Sequence, residues 1–486
     1  MEIPRLAHYL AGEWVASAAN GWHPDVNPST GNEILAEVPD GGPAVVDRAA
    51  AAAQAAFRSW ASLPGAQRAN VLYQTAQVLA ERRQELGLLV AQEVGKPIGE
   101  AIQEVDRGVV ILRYFAGEAV HPLGSVIPAQ QAGSLQFTLR QPLGPVAVIS
   151  PWNFPVAIPL WKIAPALAFG NTVIWKPAEV ASAVATSLVQ AFAAAGLPAG
   201  VLNLVLGKGS TTGSPLVAHT GVRAITFTGS NAVGMGIAEI AAKRNIKYQL
   251  EMGGKNATIV LADADLDQAA RLIASGAMRY AGQKCTATSR TIVAEAVLEP
   301  FLERLKAVTS TLPLGPATDA ATAIGPLIAP DAVERVRGYA MSGAASGTLI
   351  MGGKAPEEER FGQGFFFEPT ILVGVPSDAP VAQEEVFGPL LVVQPARSLE
   401  DAIALANGTS YGLSVSLFTR NLNAILAYLP TIECGMVRVN GDTTGVDPHA
   451  PFGGMRNSSS HSREQGPAAI EFFTEIKTVQ INPAGD

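Results

Sequence analysis

Pro142-Leu143-Gly144-Pro145-Val146-Ala147-Val148-Ile149-Ser150-Pro151-Trp152-Asn153-Phe154-Pro155 opens the part of the chain that decides the fold. Val146–Ile149 is a short apolar run bounded by turn residues, which reads as a buried strand. The pattern then recurs at Thr172-Val173-Ile174-Trp175, Val201-Leu202-Asn203-Leu204-Val205, Ala224-Ile225-Thr226-Phe227 and Ala257-Thr258-Ile259-Val260-Leu261. Helical segments at Trp161–Ala168, Ala181–Ala195 and Val233–Arg244 separate several of these runs. Strands alternating with helices predict an α/β protein with a mainly parallel, doubly wound sheet, which binds ligands at the carboxyl ends of its strands.

Upstream, an initial strand pair gives way to helical periodicity over Val45–Trp60, Asn70–Leu86 and Glu104–Ala119. Gly124–Arg140 changes character and ends in the alternating run Ser134–Arg140, an extended strand leaving the body. Downstream, helices near Leu266–Ala277 and Leu298–Thr311 and strands near Phe365–Val373 and Leu390–Val393 predict a second α/β unit. The tail ends in Glu475-Ile476-Lys477-Thr478-Val479-Gln480-Ile481, whose alternation needs a partner edge. With residues 124–140 it forms either a small sheet that joins subunits or a strand completing its own subunit.

The 486 residues, 48% hydrophobic and 16% charged, suffice for about three domains with large cores. A net charge of −8 without a Lys/Arg block argues against a nucleic-acid partner. Two cysteines are too few for a disulfide framework and fit a reducing compartment. The first residues carry no signal-peptide pattern. Residues 180–207 are uncharged, but Gly196-Leu197-Pro198-Ala199-Gly200 interrupts them, so a buried helix, turn and strand are expected rather than a membrane span. The expectation is a cytoplasmic protein. The six histidines show no metal-ligand spacing.

Chemistry concentrates in a few runs. Cys285, in Gly282-Gln283-Lys284-Cys285-Thr286, is a candidate nucleophile, and Glu251, in Leu250-Glu251-Met252-Gly253-Gly254-Lys255, a candidate base. A buried structural Cys and an unrelated capping Glu would look the same. Asn153 follows the first strand, where its amide can donate to a developing oxyanion, although Asn between prolines is also ordinary turn chemistry. Lys176 and Glu179 follow the second strand, where they can hold ribose hydroxyls or simply pair on the surface; a carboxylate there leans toward NAD over NADP. Phe227-Thr228-Gly229-Ser230, with Gly234 beyond, makes a strand–turn–helix anion site without the dinucleotide fingerprint. Gly207-Lys208-Gly209-Ser210-Thr211-Thr212-Gly213 lacks the residue order of a phosphate loop. Glu384-Glu385-Val386-Phe387-Gly388-Pro389 offers Glu385 for a ribose and Phe387 for a nicotinamide, or is a solvated turn.

Taken in order, the Glu251, Cys285 and Glu385/Phe387 runs and Pro451-Phe452-Gly453-Gly454 resemble the aldehyde dehydrogenase superfamily over essentially the whole chain. The resemblance implies a Rossmann-like cofactor domain, an α/β catalytic domain and a small β oligomerisation arm. Their expected bounds are 1–120 with 142–252, 253–464, and 121–141 with 465–486. It implies oxidation of a small aldehyde with NAD, or NADP, by a homodimer or homotetramer. Cys285 matches the nucleophile, Glu251 the base and Asn153 the oxyanion donor. Lys176, Glu179, Gly229, Ser230, Gly234, Glu385 and Phe387 match cofactor contacts, and Ile149 and Trp152 fall where the family makes main-chain contacts. A narrower likeness, carried by Trp161–Leu167, Gly282–Arg290 and His449–Gly466, is to α-ketoglutaric semialdehyde (2,5-dioxopentanoate) dehydrogenases. The run Met455-Arg456-Asn457-Ser458-Ser459-Ser460-His461-Ser462-Arg463-Glu464 departs from the general family, which usually has Lys-x-Ser-Gly there. Arg456, Ser458, Ser459 and Arg463 are therefore candidates for binding a substrate carboxylate, against the alternative of a solvated loop. A broad-specificity aldehyde dehydrogenase and a non-catalytic protein on the same fold stay open as other readings.

Overall fold

The computed structural model describes residues 3–121 and 124–483, so positions 122–123 and 484–486 of the expected arm lie outside the described residues. Five parallel strands, Lys247–Glu251, Ala224–Thr228, Pro145–Ile149, Thr172–Lys176 and Leu202–Leu204, lie side by side in that order. Antiparallel His8–Leu10 and Glu13–Val15 close the far edge. The central strands are apolar along nearly every residue because helices cover both faces. Helix Ala157–Ala168 is buried over its whole length.

One expected strand is misplaced. Ala257–Val260 lies in the middle of a second seven-stranded sheet, ordered Thr348–Met351, Thr370–Val373, Leu390–Ala396, Arg290–Ala294, Ala257–Val260, Ser414–Phe418, Met436–Val439. The fifth parallel strand of the first sheet is Lys247–Glu251. It is an edge strand with a half-exposed, polar start, so its sequence lacks the apolar run of its neighbours. The expected helix Asn70–Leu86 is two, Gly65–Glu81 and Arg83–Val94, divided at Arg82.

The third sheet is antiparallel: Leu135–Pro142 pairs with Thr474–Ile481 on one side and Val126–Ile127 on the other. The uncharged stretch folds as helix Ser182–Ala194, a turn and strand Leu202–Leu204. No helix among the described residues is long and apolar enough to cross a membrane. The strands of the two large sheets bring their connecting turns together near residues 150–156, 228–231, 252–256 and 282–288, where the candidate site lies.

Candidate active site

The turn after Pro145–Ile149 carries Asn153, which is 3% exposed. Its amide Nδ2 donates to the Gln283 carbonyl at 3.0 Å, so the first strand's turn and the Cys285 run meet. Gln283 is itself fixed: its Oε1 accepts from the Ile328 N–H at 2.9 Å and its Nε2 donates to the Pro326 carbonyl at 3.1 Å. The chain reaches Cys285 through Tyr280, Ala281 and Gly282, all at positive φ. A Cβ on Gly282 would lie 2.3 Å from the Gly388 carbonyl oxygen, so this position needs glycine. Positive φ at two non-glycine residues stores strain of the kind that clusters at functional sites.

Cys285 is half-buried, and its carbonyl accepts from the Asn256 amide at 2.8 Å. Burial pushes its thiol pKa up, and Glu385, Glu251 and Glu464 push the same way; a backbone hydrogen bond from Thr286 opposes them. Burial and the three carboxylates thus favour the protonated thiol.

Glu251 ends the edge strand and is 2% exposed. Its Oε2 accepts from the Ser459 hydroxyl at 2.5 Å, while Oε1 has no partner. Burial raises its pKa well above the carboxylate range, Glu464 adds to this, and Ser459, Lys162 and Arg463 oppose it. Lys162 lies in the same buried pocket, paired with Glu464 and donating to the Thr226 hydroxyl at 2.9 Å.

The loop after Gly454 corrects the expectation of a carboxylate receptor there. Ser460 N–H donates to the Leu250 carbonyl at 2.9 Å, and the Met252 N–H donates to the Ser458 carbonyl at 2.7 Å. The loop thus lies along the Glu251 strand as an antiparallel neighbour, with Glu251 opposite Ser459. The two candidate hydroxyls are engaged: Ser458 accepts from the Gly412 N–H at 3.1 Å, and Ser459 accepts from the Gly454 N–H at 2.6 Å while holding Glu251. Arg456 donates to the Thr409 carbonyl at 2.6 Å and pairs with Glu433. Arg463 lies over Gly453, where a Cβ would come within 2.7 Å of its Cδ. Arg463 donates to the Ser460 carbonyl at 3.4 Å, and none of the four lines the cleft that holds Lys176 and Glu179. The loop is a clamp on Glu251.

That cleft has a volume of about 630 Å³. Asn153 and Cys285 share its walls with Trp152, Lys176, Glu179, Gly229, Ser230, Glu385 and Phe387. Ser230 stands at the N-terminus of helix Asn231–Arg244, where free backbone N–H groups favour an anion. Lys176 is buried, which lowers its pKa to about 8 against the pull of Glu179 and Asp40. Glu179 Oε2 is buried without a partner. Glu385 Oε1 accepts from the Gly254 N–H at 3.1 Å, and a Cβ on Gly253 would lie 2.4 Å from Oε2. Burial raises the Glu385 pKa to about 7, opposed by Gly254, Lys255 and Arg335. The Trp152 and Phe387 rings meet edge-on at 5.6 Å.

Ile149, expected as a main-chain contact, and Gly234 are not among the residues that line the cleft. Ile149 packs in the core beneath the cleft, and Gly234 admits Met252, whose Sδ would be 2.5 Å from a Cβ there. Asp331 and Arg335 were missed. They line the cleft from helix Pro330–Ser346, which sequence periodicity did not reveal. The only local signal was the Pro330-Asp331 start typical of a helix N-terminus.

A nucleophile in the turn before strand Arg290–Ala294, an amide beside it, a buried carboxylate and an adjoining cleft define an acyl-transfer site of the Cys–Glu type. The chain belongs to the aldehyde dehydrogenase family, whose model matches residues 14–479. It is 45% identical over 98% of each chain to the alpha-ketoglutaric semialdehyde dehydrogenase of Bacillus subtilis (strain 168). It is 39% identical to the alpha-ketoglutarate semialdehyde dehydrogenase of Haloferax volcanii, over 97% of this chain and 98% of that one. Among solved structures it resembles PnpE in complex with nicotinamide adenine dinucleotide, with a TM-score of 0.96 and 37% identity over 99% of this chain and 98% of that one.

Proposed function

We propose that this enzyme oxidises 2,5-dioxopentanoate, or a closely similar acidic semialdehyde, to the corresponding acid with NAD. The observation that carries the chemistry is the meeting of Asn153 and Cys285 in one cleft wall, with Glu251 buried nearby. The names of the Bacillus and Haloferax relatives support the substrate. Residues 1–120 with 142–252 serve as the cofactor unit, 253–464 as the catalytic unit, and 121–141 with 465–486 as the arm. The two free cysteines suit a cytoplasmic enzyme.

The cleft fits a dinucleotide. The orphaned Glu179 carboxylate oxygen beside Lys176 suits ribose hydroxyls, the helix start at Ser230 a pyrophosphate, and Glu385 a second ribose. A bound oxidised nicotinamide would supply a positive ring that favours the Cys285 thiolate, and a hydride acceptor for the carbon once Sγ has added to it. Glu179 also repels a 2′-phosphate, and PnpE holds NAD.

Cys285 first gives its thiol proton to solvent water; the thiolate Sγ then attacks the aldehyde carbon, and the carbonyl oxygen gains negative charge. One Asn153 N–H is engaged by Gln283, and the amide's second N–H remains to meet the oxyanion. The Cys285 backbone N–H is the other donor. After oxidation the acyl group is a thioester on Cys285. Glu251 swings from Ser459 and takes a proton from water, which opens the thioester and releases the acid. The adjoining Lys162–Glu464 pair is a route by which that proton leaves Glu251.

Asn153→Ala is expected to lower kcat by about 10²–10³-fold, the usual cost of one oxyanion donor, with little change in NAD affinity. Steady-state kinetics beside cofactor titration check it; a loss confined to NAD binding would remove Asn153 from the chemistry.

The substrate reading is tested by a panel of aldehydes run with both cofactors. Acidic semialdehydes should exceed neutral aromatic and long-chain aldehydes in kcat/KM, and NAD should exceed NADP. A neutral aldehyde ahead by about tenfold, worth some 1.4 kcal/mol, would overturn it.

The arm supports a homodimer or homotetramer. Val126, Leu135, Leu139, Ile476 and Ile481 are exposed apolar residues on its three strands, and Met436–Val439 leaves an open sheet edge. Light scattering should report a dimer or tetramer, and a change of Ile476 and Leu139 to Asp should shift it toward monomer.

A further inference from the structure

Arg107 carries a charge that the mechanism does not use. It projects from helix Ile98–Glu118 and is half-buried. Its Nη2 is buried with no hydrogen-bond partner among the described residues. A buried guanidinium donor without an acceptor is costly, and native structures fill such positions with a protein group, water or ligand. The charges that face it are Asp447 and Glu104, and neither accepts from Nη2. Glu104 is committed elsewhere: it pairs with Lys96 and accepts from the Val156 and Ala157 N–H groups at 2.8 and 2.9 Å.

Its place in the fold ties Arg107 to the reacting thiol. Helix Ile98–Glu118 packs on helix Ala157–Ala168, with Glu104 holding the start of the latter and Gly108 close against it. A Cβ on Gly108 would be 2.8 Å from Leu160 Cδ1. Arg107 is one turn beyond Glu104 on the first helix, and Trp161 one turn beyond Ala157 on the second. Trp161 Nε1 is likewise buried without a partner. The Trp161 ring stands 5.3 Å from that of Phe452, and Phe452 packs with Val446 and Cys285 in one apolar cluster. Asp447, whose field reaches Arg107, follows Val446 directly. None of Arg107, Trp161 and Phe452 lines the cofactor cleft. They lie outside that cleft, joined to Cys285 through the apolar cluster around Phe452 and Val446.

We propose that Arg107, assisted by Trp161 Nε1, receives the far carboxylate of an acidic aldehyde whose carbonyl sits at Cys285. This rests on the reading of the enzyme as an acidic-semialdehyde dehydrogenase. Of the other cations nearby, Lys284 and Arg279 are spent on Glu100 at 2.9 and 3.1 Å, Lys96 on Glu104 and Lys162 on Glu464, while Arg463 and Arg438 donate to the Ser460 and Gly445 carbonyls of their own loops. Arg107 is a cation with an open, buried donor, where a charge-assisted hydrogen bond is stronger than in water.

The test compares kcat/KM for 5-oxopentanoate and for pentanal, its uncharged counterpart, in wild type, Arg107→Met and Arg107→Lys. Arg107→Met should lose roughly 100-fold on the acid, mostly through KM, while pentanal changes by less than about threefold. Arg107→Lys should recover part of the loss, since charge returns without the planar fork. Arg107→Gln serves if the Met variant melts early. A wild type without acid preference overturns the substrate reading and this proposal with it. A wild type that prefers the acid, with a preference that survives Arg107→Met or an equal loss on both aldehydes, overturns this proposal alone.

Discussion

Cys285→Ala is expected to lower kcat for aldehyde oxidation by about 10⁴-fold or more, while NAD still binds. The change removes the atom to which the acyl group is to be attached, and no neighbour replaces it. Cys434, the other cysteine, is buried, and its thiol donates to the Met436 carbonyl at 3.1 Å. Burial raises the Cys434 pKa to about 11, which further lowers its reactivity. The cleft should survive, because the Cys285 turn is set by Gly282, by Gln283 and by the backbone carbonyl held on Asn256. Protein fluorescence during NAD titration measures the retained site, and product formation over hours measures the lost one. Turnover above about a hundredth of wild type would mean that the reaction does not pass through this thiol, since a lost nucleophile costs far more.

The two observations that make Cys285 legible were local. A cysteine in a Gly/Gln/Thr run and a glutamate in a glycine-rich turn carry their signal in adjacent residues, and so do the strands buried on both faces. What failed was nonlocal. Lys247–Glu251 hides as a strand because an edge position tolerates Lys247 and Tyr248, and Arg290–Ala294 hides because it opens on a buried arginine. That arginine is satisfied by the Leu405 and Ala406 carbonyls, more than a hundred positions away. Ser459 looked free to bind a substrate, but its partner Glu251 lies 208 positions upstream. Arg107 gave no signal at all, since an arginine within an amphipathic helix reads as a solvated face until the packing of the neighbouring helix is known.

Glu251→Gln should separate the two halves of the reaction. Acylation needs Cys285 and Asn153, so one equivalent of NADH per active site should appear in a rapid burst. Steady turnover should then fall by about 10²–10⁴-fold, because glutamine cannot take a proton from water. Folding should be little affected: the glutamine oxygen can still accept from Ser459, and the cost of a carboxyl buried beside Glu464 is relieved. The pH profile adds an independent readout. Burial first, and then Glu464, hold the Glu251 pKa above the carboxylate range, and only the ionised form can act as base. Deacylation in the wild type should therefore rise with pH as Glu251 ionises, and in Glu251→Gln this rise should vanish. Stopped-flow absorbance at several pH values distinguishes the cases. A variant that turns over at near wild-type rate without a burst would exclude Glu251 as the base. A burst that persists with an unchanged pH slope would show that the pH dependence does not arise from Glu251.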